Sequence, residues 1–375
     1  MVTNEQASWY IFDGTDADRV DPALNLERLQ HLPEPPPWRR FDDLDRERAS
    51  SFLPDRTDVE RINATLYLRR PLLVTGKPGT GKTTLVYAVA RELGLGPVLR
   101  WSITSRSTLQ DGLYQYDAVA RLQDAHLAPQ PRVPRAAAES TPPGAVAAEV
   151  KDIGQYLTLG PLGTAFFANP AGERGGPARY FPRVLLIDEI DKSDIDLPND
   201  LLHVFEEGRF EIPELVRLKQ RQPQVEVRAW GKEAGTLTVK DGEVPCLEFP
   251  LVVMTSNGER EFPPAFLRRC LQLRVEPPDE DKLRKIVRAH LFPVRRGADT
   301  ADAASVERAW AAIKPDVDTL IGAFLHRRDT EHRELATDQL LNAISLTMSG
   351  VDLIQLIGAD DEGILATVFA PLSGD

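Results

Sequence analysis

The chain has 375 residues, of which 42% are hydrophobic and 27% charged, which is the balance of an ordinary globular protein. Its formal net charge of -12 argues against a general nucleic-acid binder, which would carry a basic excess. No apolar stretch approaches the ~20 residues that a membrane-spanning helix needs. The two cysteines cannot form a disulfide framework, so we expect a cytoplasmic protein with no membrane segment.

Residues 1–50 are polar and rich in proline, and we interpret them as a separate N-terminal segment. This segment is either a tether that lies over the core or a peptide that docks on a partner. A helix is expected from Thr57, because Thr57 and Glu60 have the spacing of a capping box.

From residue 71 onward, short apolar runs alternate with helical patterns, which predicts an α/β core over residues 51–276. The predicted strands are Pro71–Thr75, Pro97–Ile103, Arg183–Ile187, Leu251–Thr255 and Leu271–Val275. Apolar residues at helical spacing then predict an α-helical domain over residues 277–375.

Two insertions interrupt the core. Residues 128–150 are rich in proline and alanine and are expected to be a flexible insertion. Residues 222–249 contain two alternating runs and an Asp241-Gly242 pair, which predicts a β-hairpin.

The segment Gly76–Thr83 matches G-x-x-x-x-G-K-[ST] and stands between a predicted strand and a predicted helix. Its backbone N–H groups can form a cradle for phosphate at a helix N-terminus, beginning after Pro78, which has no N–H. Lys82 is expected to reach the β- and γ-phosphates of ATP, and the Thr83 hydroxyl to bind Mg²⁺. The expected nucleotide-binding residues of this loop are Gly76, Pro78, Gly79, Thr80, Gly81, Lys82, Thr83 and Thr84.

Two adjacent acids end the apolar run Val184–Ile187. Side chains of adjacent residues at a strand end point in different directions, so the two acids can have different roles. Asp188 is expected to hold Mg²⁺ through its water shell, and Glu189 to orient and polarise the attacking water. Asp191 is interpreted as a solvated residue at the start of a helix rather than as a third catalytic acid.

Taken in order, these motifs resemble the AAA+ superfamily, and within it the MoxR-like and dynein-related ATPases. The resemblance is carried by Gly76–Thr83, Leu159–Leu162, Leu186–Ser193, Leu201–Phe210, Val253–Asn257 and Phe262–Arg269. It implies a P-loop AAA+ core with a five-stranded parallel sheet between helices, followed by a helical lid domain.

The resemblance also implies roles for individual residues. Asn257 corresponds to sensor 1, which contacts the γ-phosphate and the attacking water. Arg269 corresponds to the arginine finger that reaches a neighbouring subunit, with Arg268 as an adjacent candidate. Arg333 is the nearest candidate for the basic sensor 2 residue of the lid. The hairpin at 222–249 corresponds to one that faces the central pore of family members, although it could instead only pack on a neighbouring segment.

The resemblance therefore implies an ATPase that forms a homo-oligomeric ring, a hexamer by family precedent. Such a ring remodels a protein partner, as MoxR-like chaperones do with von Willebrand factor A-type partners. Two other functions remain open from the sequence. One is an NTPase motor of a nucleic-acid-directed defence or restriction system, which the acidic composition disfavours. The other is a nucleotide-gated switch or scaffold.

Overall fold

The computed structural model describes residues 29–40, 52–127, 153–167, 169–170, 180–231, 235–292, 300–355, 357 and 364–371. The insertion expected at 128–150 and most of the N-terminal segment lie outside these residues. The chain divides into two compact units. One unit comprises Met1–Asp55, Gly76–Val89 and Arg274–Asp375, and the other comprises Arg56–Thr75 and Ala90–Leu273. The expected division into residues 1–50, 51–276 and 277–375 stays a prediction.

The strands, in chain order, are β1 (Leu72–Thr75), β2 (Val98–Ser102), β3 (Tyr114–Tyr116), β4 (Leu157–Leu159), β5 (Asn169–Pro170), β6 (Tyr180–Phe181), β7 (Val184–Asp188), β8 (Arg209–Glu211), β9 (Gln224–Arg228), β10 (Thr236–Lys240), β11 (Glu243–Pro245), β12 (Leu251–Ser256) and β13 (Leu271–Arg274). The α-helices are α1 (Arg56–Leu68), α2 (Lys82–Leu93), α3 (Leu109–Leu113), α4 (Ala118–Leu127), α5 (Pro161–Phe166), α6 (Leu197–Glu207), α7 (Pro213–Val216), α8 (Pro264–Arg269), α9 (Glu280–Leu291), α10 (Thr300–Leu325), α11 (Thr337–Met348) and α12 (Ile364–Val368). No helix in these described segments is both long and apolar enough to cross a bilayer.

A five-stranded sheet, in the order β13-β1-β12-β7-β2, forms the centre of the second unit. Its registered pairs β1–β12, β12–β7 and β7–β2 are all parallel. Every residue of β7 and β12 is buried, as expected for strands covered on both faces. This sheet confirms the predicted α/β core. The helix expected to begin at Thr57 begins one residue earlier, at Arg56.

A second sheet of six strands, in the order β3-β4-β9-β10-β11-β8, lies in the same unit. Its centre is the antiparallel pair β9–β10 in the region where the hairpin was expected. The hairpin is not isolated, because β9 pairs with β4 and β10 pairs with β11. Strands β3, β4, β8 and β11 were not predicted from the sequence.

The C-terminal helices of the first unit enclose a core of their own. Leu283 and Val287 of α9 are buried in it together with Trp310 and Leu320 of α10. Trp38, from the proline-rich segment, packs against this core, with its ring 6.4 Å from that of His290. The segment around Trp38 therefore lies on the helical core. Burial lowers the pKa of His290 to about 4, so this ring is neutral at physiological pH.

Candidate functional site

Parallel strands place their carboxyl ends at one edge of a sheet, and three polar strand ends meet at that edge here. Thr75 ends β1, Asp188 ends β7 and Ser256 ends β12, and these strands are neighbours in the sheet. The chain leaves β1 directly into the glycine-rich loop. The sheet therefore brings the carboxyl ends of β1, β7 and β12, including the predicted acid Asp188, to one edge.

Glu189 follows β7 in the left-handed conformation, with φ 61° and ψ 50°. This conformation is uncommon for a residue other than glycine and concentrates at functional sites. A 3₁₀ turn, Ile190–Lys192, follows directly. Residues 188–193 are here called the acidic turn.

Both carboxylate oxygens of Asp188 are engaged by protein donors. Arg100 of β2 donates to Oδ2 from Nη2 at 2.6 Å and from Nε at 3.1 Å. The Thr255 hydroxyl donates to Oδ1 at 2.6 Å. Asp188 is only 5% exposed, so these contacts fix its orientation. Its carboxylate is the type of hard oxygen ligand that Mg²⁺ prefers, so the residue fits a magnesium site.

The carboxylate of Glu189 is more accessible than that of Asp188. Its Oε2 accepts a hydrogen bond from Lys192 Nζ at 2.9 Å, and both side chains are 42% exposed. The pKa of Lys192 is raised above its ordinary value, mainly because of this hydrogen bond. The Glu189 backbone N–H donates to the Thr255 hydroxyl at 2.9 Å. Thr255 therefore contacts both acids.

The loop after β12 carries Asn257, the predicted sensor, and residues 256–260 are here called the sensor loop. The N–H groups of Asn257 and Glu259 donate to Asp191 Oδ2, at 2.9 and 3.2 Å. Asp191 is 4% exposed, so its interpretation as a solvated residue is wrong. Arg260 also donates to the Ser193 carbonyl at 2.7 Å. The acidic turn and the sensor loop are thus hydrogen-bonded at several points.

The two candidate finger arginines lie at the end of α8. Arg269 is partly buried and its guanidinium forms an ion pair with Glu206 of α6. Arg268 is exposed. Arg70 donates to the backbone carbonyls of both arginines and so holds this helix end in place. Of the two, Arg268 is the more accessible to a second molecule.

The glycine-rich loop belongs to the first unit and ends at α2, which begins at Lys82. Gly79 and Gly81 have φ of 73° and 90°, a left-handed conformation that disfavours other residues. Lys82 Nζ donates to the carbonyls of Gly76 at 2.7 Å and Lys77 at 2.8 Å. Lys82 is 8% exposed, so its ammonium group is held inside the loop.

The other predicted residues of the loop differ in their exposure to solvent. Thr83 and Thr84 are partly buried in the first turn of α2, whereas Pro78 is exposed. The Thr80 hydroxyl donates to the Lys77 carbonyl at 2.9 Å. A helix leaves its first four N–H groups without intrahelical acceptors, which together with the helix dipole favours an anion at this end.

The segment before α11 packs on the glycine-rich loop. A Cβ atom on Gly79 would lie 2.6 Å from Ala336 Cβ and 2.9 Å from the Thr337 nitrogen, so only glycine fits. Lys77 and Glu334 approach to 4.0 Å. The sequence did not indicate this close packing of the loop against the start of a later helix.

Arg333, the predicted sensor 2 residue, lies in the non-helical segment before α11. Its Nε is 2.9 Å from Glu331 Oε2, so its guanidinium pairs with a carboxylate of its own segment. The residues that reach Gly79 are Ala336 and Thr337 instead. A role for Arg333 with a nucleotide therefore stays a prediction.

Comparison with known proteins identifies the family. Residues 72–278, more than half of the chain, match the model of the ATPase family associated with various cellular activities (AAA). No curated protein matches the sequence. Among solved structures, a candidate ATPase from Cytophaga hutchinsonii ATCC 33406 is 13% identical, over 80% of this chain and 70% of that one, with a TM-score of 0.34.

NtrX from Brucella abortus, solved in complex with ADP, is 14% identical over 95% of this chain, with a TM-score of 0.37. The match covers only 60% of that NtrX chain. TM-scores this low support no argument about function. The family model and the parallel sheet with its glycine-rich loop are sufficient, and the chain belongs to the AAA family of ATPases.

Proposed function

We propose that the protein is a MoxR-like AAA+ ATPase that hydrolyses Mg-ATP in a ring and remodels a protein partner in the cytoplasm. The observation that supports hydrolysis most directly is the hydrogen-bonded connection of the acidic turn to the sensor loop. Thr255 contacts both Asp188 and Glu189, and Asp191 holds the backbone of Asn257. A protein that binds nucleotide without hydrolysing it does not need the acidic turn to be hydrogen-bonded to the sensor loop in this way.

Each residue has a distinct role in the proposed reaction. The first-turn N–H groups of α2 and the Lys82 ammonium bind the β- and γ-phosphates. The Thr83 hydroxyl and the Asp188 carboxylate would hold Mg²⁺, which when bound neutralises charge on the transferred phosphoryl group. Glu189 accepts a proton from the attacking water, and the Asn257 amide orients that water against the γ-phosphate.

The decisive experiment measures nucleotide affinity and phosphate release by the purified protein, with and without Mg²⁺ and with ATP and GTP in parallel. We expect magnesium-dependent binding of ATP and steady release of phosphate. Absence of magnesium-dependent affinity for any nucleoside triphosphate would refute the proposal. Salt-sensitive stimulation of hydrolysis by DNA would instead favour a nucleic-acid motor.

The partner would be found by capture with the Glu189→Gln variant in ATP, because a stalled ATPase keeps its client bound. A protein with a von Willebrand factor A-type domain among the captured proteins is expected. ATP-dependent capture has to be lost in a Lys82→Ala, Glu189→Gln double variant. A client retained equally by both variants would contradict nucleotide-controlled binding.

Arg100 is expected to oppose magnesium binding, because its guanidinium donates twice to Asp188 Oδ2. Removal of this positive charge in Arg100→Gln should lower the Mg²⁺ concentration needed for half-maximal ATP binding by roughly 3–10-fold. The measurement is a Mg²⁺ titration at fixed ATP. Arg106→Gln removes the same charge from an exposed position nearby and serves as the control. An increased Mg²⁺ requirement in Arg100→Gln would show that Arg100 instead supports the metal site.

The two arginines at the end of α8 provide a test of the ring. Arg269→Ala is expected to reduce turnover by ~10²-fold or more with ATP affinity unchanged, since an arginine acting in trans stabilises charge that develops during phosphoryl transfer. Arg268→Ala is the matched comparison. Because Arg269 pairs with Glu206, while Arg268 is exposed, a large loss in Arg268→Ala alone would transfer the role to Arg268. Normal turnover in both variants would contradict a finger at this helix end.

A further inference from the structure

We infer that Asp191 is a positioning residue for the proposed hydrolysis, because its carboxylate holds the loop that carries Asn257 in a fixed place relative to Glu189. This inference rests on the proposed function and assigns a role to a residue that the sequence led us to interpret as solvated. Asp191 itself is not assigned any contact with substrate.

Two of the hydrogen bonds between the acidic turn and the sensor loop converge on one oxygen atom of Asp191. Asp191 lies two residues after Glu189 in the acidic turn, and its Oδ2 accepts from the N–H groups of Asn257 and Glu259. These donors flank Gly258, which has φ of 81°. The Gly258 N–H donates to Ser256 Oγ at 3.0 Å. The conformation of the sensor loop is therefore defined by hydrogen bonds on both sides of its tightest point.

The burial of the Asp191 carboxylate lowers the stability of the fold, so stability alone does not explain an acid at this position. Asp191 is 4% exposed, and its Oδ1 is buried without a hydrogen-bond partner among the described residues. A buried polar atom that lacks a partner destabilises a fold, and an apolar residue would avoid this loss. Holding two backbone donors of the sensor loop gives a reason for a carboxylate at this position.

The surrounding charges belong to the same cleft. The cleft beside Asp191 is lined by four other charged residues, Glu189, Lys192, Glu259 and Arg260. Lys192 pairs with Glu189, and Arg260 donates to the Ser193 carbonyl of the acidic turn. Asp191 is the member of this group that reaches the backbone of the sensor residue. Its loss would free Asn257 to move relative to Glu189.

Positioning predicts a specific kinetic effect. A displacement of about 1 Å in a catalytic group can reduce the rate by ~10²-fold, whereas affinity for ATP depends on the phosphate loop, which the substitution does not alter. Asp191→Ala is therefore expected to lower kcat by roughly 10–100-fold while the Kd for ATP changes by less than about 2-fold. Asp191→Asn keeps an oxygen acceptor and should recover much of the lost rate. Asp196→Ala removes an exposed acid from a nearby position and should behave as wild type.

A double-mutant cycle with Asn257→Ala separates positioning from a general structural effect. If Asp191 acts through Asn257, the variant that lacks both side chains should be no slower than Asn257→Ala alone. Losses that multiply, or a kcat for Asp191→Ala equal to that of wild type, would overturn the inference. If Asp191→Ala does not fold, as judged by thermal denaturation, Asp191→Leu, which has a similar size but offers no acceptor, takes its place in the cycle under the same criteria. Absence of hydrolysis by the wild-type protein would instead refute the proposed function.

Discussion

Lys82→Ala is expected to weaken ATP binding by at least ~100-fold, the largest effect on affinity of any substitution considered for this chain. Lys82 Nζ lies between the Gly76 and Lys77 carbonyls, within a loop that precedes the N-terminus of α2. Charge-assisted bonds to phosphate are about twice as strong as neutral ones, and this ammonium is largely shielded from water. Its removal takes the ammonium group out of the loop and leaves the loop with its backbone N–H groups for the β- and γ-phosphates.

The measurement is a titration with a fluorescent ATP analogue in the presence of Mg²⁺. Lys285→Ala removes an exposed lysine from α9 and should bind as wild type does. A thermal denaturation curve shows whether Lys82→Ala remains folded. A folded variant with unchanged affinity would place the phosphates elsewhere and would remove the basis of the proposed ATPase.

Glu189→Gln is expected to reduce hydrolysis by ~10²–10³-fold while it preserves ATP binding. General-base catalysis typically contributes ~10²–10⁴-fold, and an amide of the same shape cannot accept the proton of the attacking water. The substitution keeps the side-chain length and an oxygen acceptor for Lys192, so the acidic turn should retain its conformation. Phosphate release and ATP affinity, measured on the same preparation, test the two halves of this expectation.

The same variant tests assembly. ATP that is bound but not hydrolysed should hold the ring together, so light scattering at saturating Mg-ATP should detect an oligomer larger than that of the nucleotide-free protein. Glu207→Gln, at the exposed end of α6, is the control for the loss of one negative charge. If Glu189→Gln remains monomeric under these conditions, the ring is contradicted. If it hydrolyses ATP at the wild-type rate, Glu189 is not the base.

The sequence by itself determined the elements whose signals are local. Strands covered on both faces require continuous apolar runs, and such runs predicted β1, β7 and β12 at the centre of the sheet. The edge strands β2 and β13 alternate between more buried and more exposed residues and were also predicted. The glycine-rich loop was equally recognisable, because its glycines are required by backbone geometry and Lys82 by phosphate charge within eight consecutive positions, Gly76–Thr83. Asp188 and Glu189 could be predicted as the catalytic acids because they directly follow one of those runs.

Only the tertiary structure decided which distant residues meet. Arg100 and Asp188 are 88 positions apart, and Asp191 and Asn257 are 66 apart, so no periodicity in the sequence relates them. Short strands such as β4 and β8, of three residues each, pair with distant partners and carry too few residues to show alternation. The packing of Ala336 against Gly79 likewise depends on the folded chain. Asp191 is buried rather than solvated because of such long-range contacts. Its burial is therefore established only when the chain folds.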